Sequence, residues 1–198
     1  MSDQEALWID EALHGDDNAF GNLVEKYQKP VFSVCYRMLG NSNDAEDAAQ
    51  ESFIRAYRYL KRYDQGRSFA TWLLSIASHY CIDRMRKRQL PTVSAELLPA
   101  EIIPDRSSST PEKEFRAKEK EAMIQNLMKD LKPRDRATIV LRYWHECSEM
   151  EIAEMLDLSV SAVKSRLYRS RRLLAEAWLN SENATEVNER RPYESPAF

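Results

Sequence analysis

The chain has 198 residues, 43% hydrophobic and 31% charged, with a formal net charge of −3, so it is no bulk polycation and any nucleic-acid contact must come from local patches. Four glycines leave no Gly-rich phosphate loop, and no apolar run approaches the roughly 20 residues that cross a bilayer. The acidic start MSDQEALWID has no signal-peptide core, and Cys35, Cys81 and Cys147 are widely spaced with no Cys/His ligand pattern, which predicts a cytoplasmic protein with reduced thiols and no metal site.

Apolar residues recur at three and four along almost the whole chain, so the elements read as helices. A first helix over about 4–14 stops at Gly15. Asp16 can cap the next, whose stripe is Phe20, Leu23, Val24 and Tyr27. Pro30 predicts a break or kink before 31–39, and Gly40 ends that segment. Asn43 and Glu46 form a capping box for a helix that places Ala45, Ala48, Ala49, Phe53, Ala56, Tyr57 and Leu60 on one face. A polar turn over 63–68 around Gly66 leads to a long helix from Phe69 to about Arg88, burying Leu73, Ile76, Ala77 and Tyr80.

Between 89 and 111 the pattern collapses, with Pro91, Pro99, Pro104, Pro111 and a serine run, and this reads as a flexible linker. Such a linker spans roughly 24 to 29 Å on average, less than the ~35 Å between duplex sites one turn apart. Helix resumes at about Glu112 and carries Ile124, Leu127, Met128 and Leu131 to Pro133. Another runs over 134–144 with Ile139, Val140 and Tyr143 inward. After Asn180 the chain is polar and is expected not to fold alone.

Residues 148–172 read as a helix-turn-helix. Ser148 and Glu151 make a capping box, Ile152, Met155 and Leu156 supply an apolar face, and small Ala153 allows a close crossing. Asp157 suits a left-handed turn, and Ser159 can cap a second helix that buries Val160, Val163 and Leu167. Lys164, Arg166, Arg169, Arg171 and Arg172 then place five positive charges in nine positions with no acid among them. A helix so charged is suited to DNA phosphate.

Seven of the chain's aromatics fall within residues 53–80. Phe53, Tyr57 and Tyr80 lie on stripes expected to be buried. Tyr59, Tyr63, Phe69 and Trp72 lie on or near the turn among Arg55, Arg58, Lys61, Arg62 and Arg67, and aromatics interleaved with basic residues suit unpaired bases. A second basic patch is Arg84, Arg86, Lys87 and Arg88, while Asp44, Glu46, Asp47 and Glu51 cluster as acids on one helix.

DAEDAAQESFIRAYRYL (44–60), FATWLLSIASHYCIDRMRKR (69–88) and EIAEMLDLSVSAVKSRLYRSRRLL (151–174), in that order across a Pro-rich linker, resemble the extracytoplasmic-function sigma factors of the sigma-70 family. These are small bacterial transcription initiation factors. The resemblance spans about residues 5–180 and implies an all-α protein of two small helical domains joined by a flexible linker. Residues 1–88 would be the region 2 domain, 112–180 the region 4 domain with its helix-turn-helix, and 181–198 a tail without fold.

The resemblance further implies that Asp44, Asp47, Gln50, Glu51, Phe53 and Arg55 dock on core RNA polymerase. It assigns single-stranded minus-ten promoter DNA to Tyr59, Tyr63, Arg67, Ser68, Phe69, Thr71, Trp72, Ile76, His79, Arg84, Arg86 and Lys87. His79 stands where an Asn is common, which changes the hydrogen bonds offered to a base edge. Duplex minus-35 DNA falls to Ser161, Lys164, Ser165, Arg166, Tyr168, Arg169 and Arg172. A membrane-associated anti-sigma factor is an expected partner, and no cofactor, small-molecule ligand or enzymatic activity is expected.

Three rivals come from other classes. A duplex-binding repressor or activator that never joins polymerase would be dimeric and would leave the aromatic and basic patch without a task. An adaptor that binds only protein would leave the five-charge helix unexplained. An enzyme would need a nucleophile, base and orienting group that no motif here supplies.

Overall fold

Short polar caps and buried apolar stripes set the helix boundaries. The computed structural model describes residues 3–89 and 111–189. The helices are α1 (Asp3–Leu13), α2 (Asp17–Leu39), α3 (Ser42–Tyr59), α4 (Phe69–Gln89), α5 (Pro111–Met128), α6 (Pro133–Trp144), α7 (Glu149–Met155) and α8 (Val160–Glu189), with a 3-10 turn at Leu60–Arg62. No strand occurs among the described residues, and no helix there is long and apolar enough to cross a membrane. The linker expected at 89–111 lies outside the described residues except at its two ends, as do residues 190–198. Backbone helix continues to Glu189, nine residues past the end expected at 180.

Helices α1 to α4 form the first domain. Asp16 caps α2 by accepting from the amides of Asn18 and Ala19, and Gly40 closes it in the left-handed region at φ +84°. The expected break at Pro30 does not occur. One helix runs through it, with Leu23 and Tyr27 before and Val31 and Val34 after it all buried, so packing outweighs the lost backbone hydrogen bond. The start of α3 is also shifted, since Asn41 rather than Asn43 is the cap and accepts from the Asp44 amide. Core-facing positions of α3 are small, Ala45, Ala48, Ala49, Ser52 and Ala56, which lets α2 and α4 approach closely. Buried Ser52 donates to the Ala48 carbonyl at 2.6 Å, so its hydroxyl carries no unmet demand.

The second domain is built on α6, α7 and α8, around Ile139, Leu141, Ile152, Leu156 and Val163. Tyr143 and Val160, expected inward, are both exposed: each keeps the phase of its buried stripe but lies in a terminal turn, the last of α6 and the first of α8. The capping box of Ser148 and Glu151 is present, and it holds the Glu151 carboxyl below the usual range. Asp157 takes the left-handed turn at φ +52°.

The two domains touch. Helix α6 packs on α2 and α4, and α7 packs on α4. Arg136 is 5% exposed and donates from Nε to the Arg37 carbonyl at 2.7 Å, satisfying a free carbonyl at the end of α2. Its other arm bonds to Gln125. Burial pushes this guanidinium down to about 10, still charged at neutral pH. Arg37 in turn lies 4.4 Å over the Trp144 ring and 2.8 Å from Glu121.

His145 stands beside this contact. Burial, and then the nearby Arg37, push its imidazole down to about 4, and its Nε2 has no hydrogen-bond partner. Between that value and its unfolded value of about 6.5, the unfolded chain binds a proton that the folded chain refuses, so stability falls as pH drops through this window. Urea melts at pH 7 and pH 4 are expected to show the parent losing about 1 to 3 kcal/mol more than His145→Gln. Equal losses would show that this histidine does not titrate as placed.

Candidate nucleic-acid interface

The turn between α3 and α4 builds an aromatic wall. Tyr63 and Phe69 meet edge to face at 5.3 Å, and Trp72 lies 5.1 and 5.5 Å from them. Tyr27 backs Phe69 at 5.6 Å, and its hydroxyl donates to Glu5 at 2.7 Å. Burial disfavours the Glu5 carboxylate, but hydrogen bonds from Lys26 and Tyr27 outweigh it and hold the group below its ordinary value. A buried charge on α1 thus fixes the back of the wall.

Two of the four aromatics expected at the surface are core. Phe69 is 1% exposed and Tyr63 is 7%, with the Tyr63 hydroxyl donating to the Arg67 carbonyl. Tyr63 continues the buried row of Ser52, Ala56 and Leu60 beyond the end of α3, a continuation that reading 63–68 as a polar turn cut off. The opposite error falls on Tyr57, expected in the core. It is 46% exposed and donates to Asp17, since the buried row runs through Ser52, Ala56 and Leu60 instead. Phe53 and Tyr80 are only half-buried, the latter under the Arg55 guanidinium at 4.7 Å.

Trp72 is half-buried and forms part of a shallow cavity with Gly66, Arg67, Ser68, Thr71 and Ser75. Asp64 accepts from the Gly66 amide at 2.9 Å, and the Ser68 hydroxyl accepts from the Thr71 amide, so both ends of the loop are fixed. Ile76 and His79 follow along α4, each half-buried. Tyr59 is exposed, with Arg62 5.2 Å over its ring.

The basic end of α4 splits. Arg86 and Lys87 are exposed, but Arg84 is held by Asp44 and Asp47, and Arg88 by Asp44. Asp44 is only 14% exposed. Burial raises its carboxyl, yet Arg88, Asn41 and Arg84 together keep it below the usual range. It clamps α3 to α4 and presents no free charge to a partner. Asp47 and Gln50 do face solvent, Glu51 pairs with Arg55 at 2.8 Å, and Ile54 is exposed beside them. An apolar residue on a polar face was the signal for Ile54, and helical periodicity passed over it.

On α8, Ser161, Lys164, Ser165, Tyr168, Arg169 and Arg172 are all exposed and recur at three and four, which puts them on one side of the helix. Ser159 accepts from the Ala162 amide at 3.2 Å and fixes the start. Arg166 departs from the expectation. It is largely buried against Asp135 of α6 and so joins the two helices, with little reach toward DNA. Lys164 lies 3.6 Å from Glu149 but remains exposed and able to swing away.

Residues 23–90 match the family model for Sigma-70 region 2, and residues 121–174 the one for Sigma-70, region 4. The chain is 37% identical over 174 residues to the ECF RNA polymerase sigma factor SigW of Bacillus subtilis, spanning 84% of this chain and 92% of that protein. It is 33% identical to the ECF RNA polymerase sigma-E factor of Haemophilus influenzae, over 84% of this chain and 90% of the relative. The solved structure of CnrH in complex with the cytosolic domain of CnrY is similar at a TM-score of 0.66 and 26% identity, covering 90% of this chain and 99% of that one. RpoE of Bartonella quintana, solved with the anti-sigma factor NepR, shares the fold at a TM-score of 0.61 and 20% identity, over 79% and 94% of the two chains.

Proposed function

The chain belongs to the extracytoplasmic-function sigma factors of the sigma-70 family, RNA polymerase subunits that initiate transcription, and from that premise we propose how its residues divide the work. In this reading residues 1–88 bind core polymerase and hold the melted minus-ten strand, while residues 112–180 grip the minus-35 duplex. The observation that carries it is the pairing, in one chain, of a half-buried Trp72 in a loop-lined cavity with an exposed Lys164 and Arg169 stripe.

Polymerase docking falls to the face of α3 with Asp47, Gln50, Glu51 and Ile54, supported from behind by Phe53 and Arg55. Asp44 shapes that face by clamping α4. Strand contact falls to Tyr59, Arg67, Ser68, Thr71, Trp72, Ile76 and His79, with Arg86 and Lys87 on phosphates. Tyr63 and Phe69 stiffen the wall behind Trp72. Core polymerase supplies the chemistry. We place the protein in the cytoplasm with that polymerase, in an envelope or extracytoplasmic stress response, under a membrane-associated anti-sigma factor.

Run-off transcription with core polymerase and a promoter library tests the reading. Transcripts that start at a common pair of elements are expected only when the chain is present. In gel shifts the chain alone is expected to bind those promoters weakly, and core polymerase to confer tight, specific binding. Tight specific binding by the chain alone, with no transcript, would instead support a duplex-binding regulator.

A further inference from the structure

We infer that Glu5 of α1 is a positioning residue for strand capture: through Tyr27 and Phe69 it holds the Trp72 ring at the angle that receives an unpaired base. The inference rests on the reading that this cavity receives the melted strand. Its ground is a continuous pile of rings with a carboxylate at its base. The Tyr27 hydroxyl donates to Glu5 Oε1 at 2.7 Å, and the Lys26 ammonium donates to Oε2 at 2.5 Å. The Tyr27 ring meets Phe69 at 5.6 Å and 49°, and Phe69 meets Trp72 at 5.5 Å and 48°. Tyr63 lies 5.3 and 5.1 Å from Phe69 and Trp72, and its hydroxyl donates to the Arg67 carbonyl beside the cavity. One hydroxyl therefore fixes the pile at its base, and another fixes it at the cavity.

A carboxylate is a costly group to place here. Glu5 is 5% exposed, and an ion so buried gives up hydration that an apolar side chain of the same size never had. Leucine would fill the space but would not direct the Tyr27 hydroxyl. Ring pairs prefer edge-to-face or offset geometries but are individually weak, so apolar packing alone leaves the pile several close arrangements. A charge-assisted hydrogen bond is about twice as strong as a neutral one and selects among them. Burial, and then the Glu5 carboxylate, push the Tyr27 hydroxyl up, so it remains a donor at neutral pH.

The link gives α1 a task at a distance. Its residues are absent from the cavity lining, and its effect reaches the strand through the rings of Tyr27, Phe69 and Trp72. Stacking energy is realised in full when the platform is held close to its productive geometry. Loosening Trp72 returns to the ring a freedom that a stacked base must then remove, which lowers strand affinity. The recognition helix α8 has no part in this pile, so duplex affinity stays where it was.

The test uses holoenzyme assembled from core polymerase and the full chain, with two fluorescein-labelled probes from a promoter found in the run-off library, its non-template minus-ten strand and its minus-35 duplex. Glu5→Leu is expected to weaken strand binding about fivefold and to leave duplex binding and holoenzyme assembly unchanged. Glu5→Gln still accepts from Tyr27 and is expected to stay within about twofold of the parent. Adding Trp72→Ala separates positioning from a general loosening of the fold, since Glu5→Leu should have no further effect once the ring is gone. An undiminished loss in that background, a parallel loss on the duplex, or a Gln variant as weak as the Leu variant overturns the inference. If Glu5→Leu melts early, Tyr27→Phe removes the same hydrogen bond from its other side and decides by the same measurements. Strand binding by Trp72→Ala at the parent level removes the underlying reading, whereas a Trp72→Ala loss without a Glu5→Leu loss removes only the positioning role.

Discussion

Trp72→Ala is expected to lower open-complex formation about tenfold to a hundredfold while leaving polymerase binding intact, because one stacked base contributes about 1 to 3 kcal/mol. Trp72 presents part of its ring to the cavity while the rest is seated against Tyr63 and Phe69 at 5.1 and 5.5 Å. A seated ring loses little freedom when a base stacks on it, so most of the contact energy survives in the complex. Extruding a base from duplex costs a few kcal/mol, comparable to what one such platform returns. Loss of the ring therefore tips the balance toward the closed duplex. Permanganate reactivity of thymines in a holoenzyme and promoter complex reads this directly. Tyr63→Phe is the matched control, since it keeps the ring and removes only the hydroxyl that bonds to the Arg67 carbonyl. If Trp72→Ala folds, binds core polymerase and opens promoters at the parent rate, the strand does not stack there.

Apart from the start of α3, where Asn41 and not Asn43 is the cap, the caps were legible from residue types because cap chemistry is local. Asp16, Gly40, Ser148 with Glu151, and Asp157 all act within about four residues of their own backbone. What sequence periodicity misplaced depends on helix phase or on distant packing. Pro30 sits inside α2 because buried residues on both sides outweigh a local preference. Tyr63 faces inward because it extends the buried row of Ala56 and Leu60 past the helix end, where the sequence reads as a polar turn. In the site, the exposed stripe of α8 followed from its own period, whereas Arg166 and Asp44 were drawn into structural pairs by partners 31 and 40 positions away. The contact of the domains had no signal in the sequence at all. Arg136 follows Arg134 and Asp135 in a charged first turn of α6, and nothing along the chain distinguishes it as the arginine that reaches the end of α2.

Lys164→Ala and Arg169→Ala are expected to fail in different ways, although both remove one positive charge from the same exposed face. Lys164 lies in the first turns of α8, the part of a recognition helix that reaches base edges, and its ammonium can approach guanine O6 and N7. Its loss should cost about 1 to 3 kcal/mol on the preferred promoter and much less on a promoter changed at the matching base pair. Arg169 lies more than a turn further along, where in the proposed docking the helix would meet phosphates and not base edges. Its loss should weaken all sequences alike and reduce the slope of log affinity against log salt by about 0.9. Arg166→Ala provides the internal contrast. Its side chain joins α8 to Asp135 of α6, so its removal should lower the melting temperature, with the salt slope nearly unchanged. Holoenzyme titrations on minus-35 variants at several KCl concentrations separate the three. If Lys164→Ala weakened every variant equally, the lysine would be a phosphate contact, and base reading would pass to Ser161, Ser165 or Tyr168.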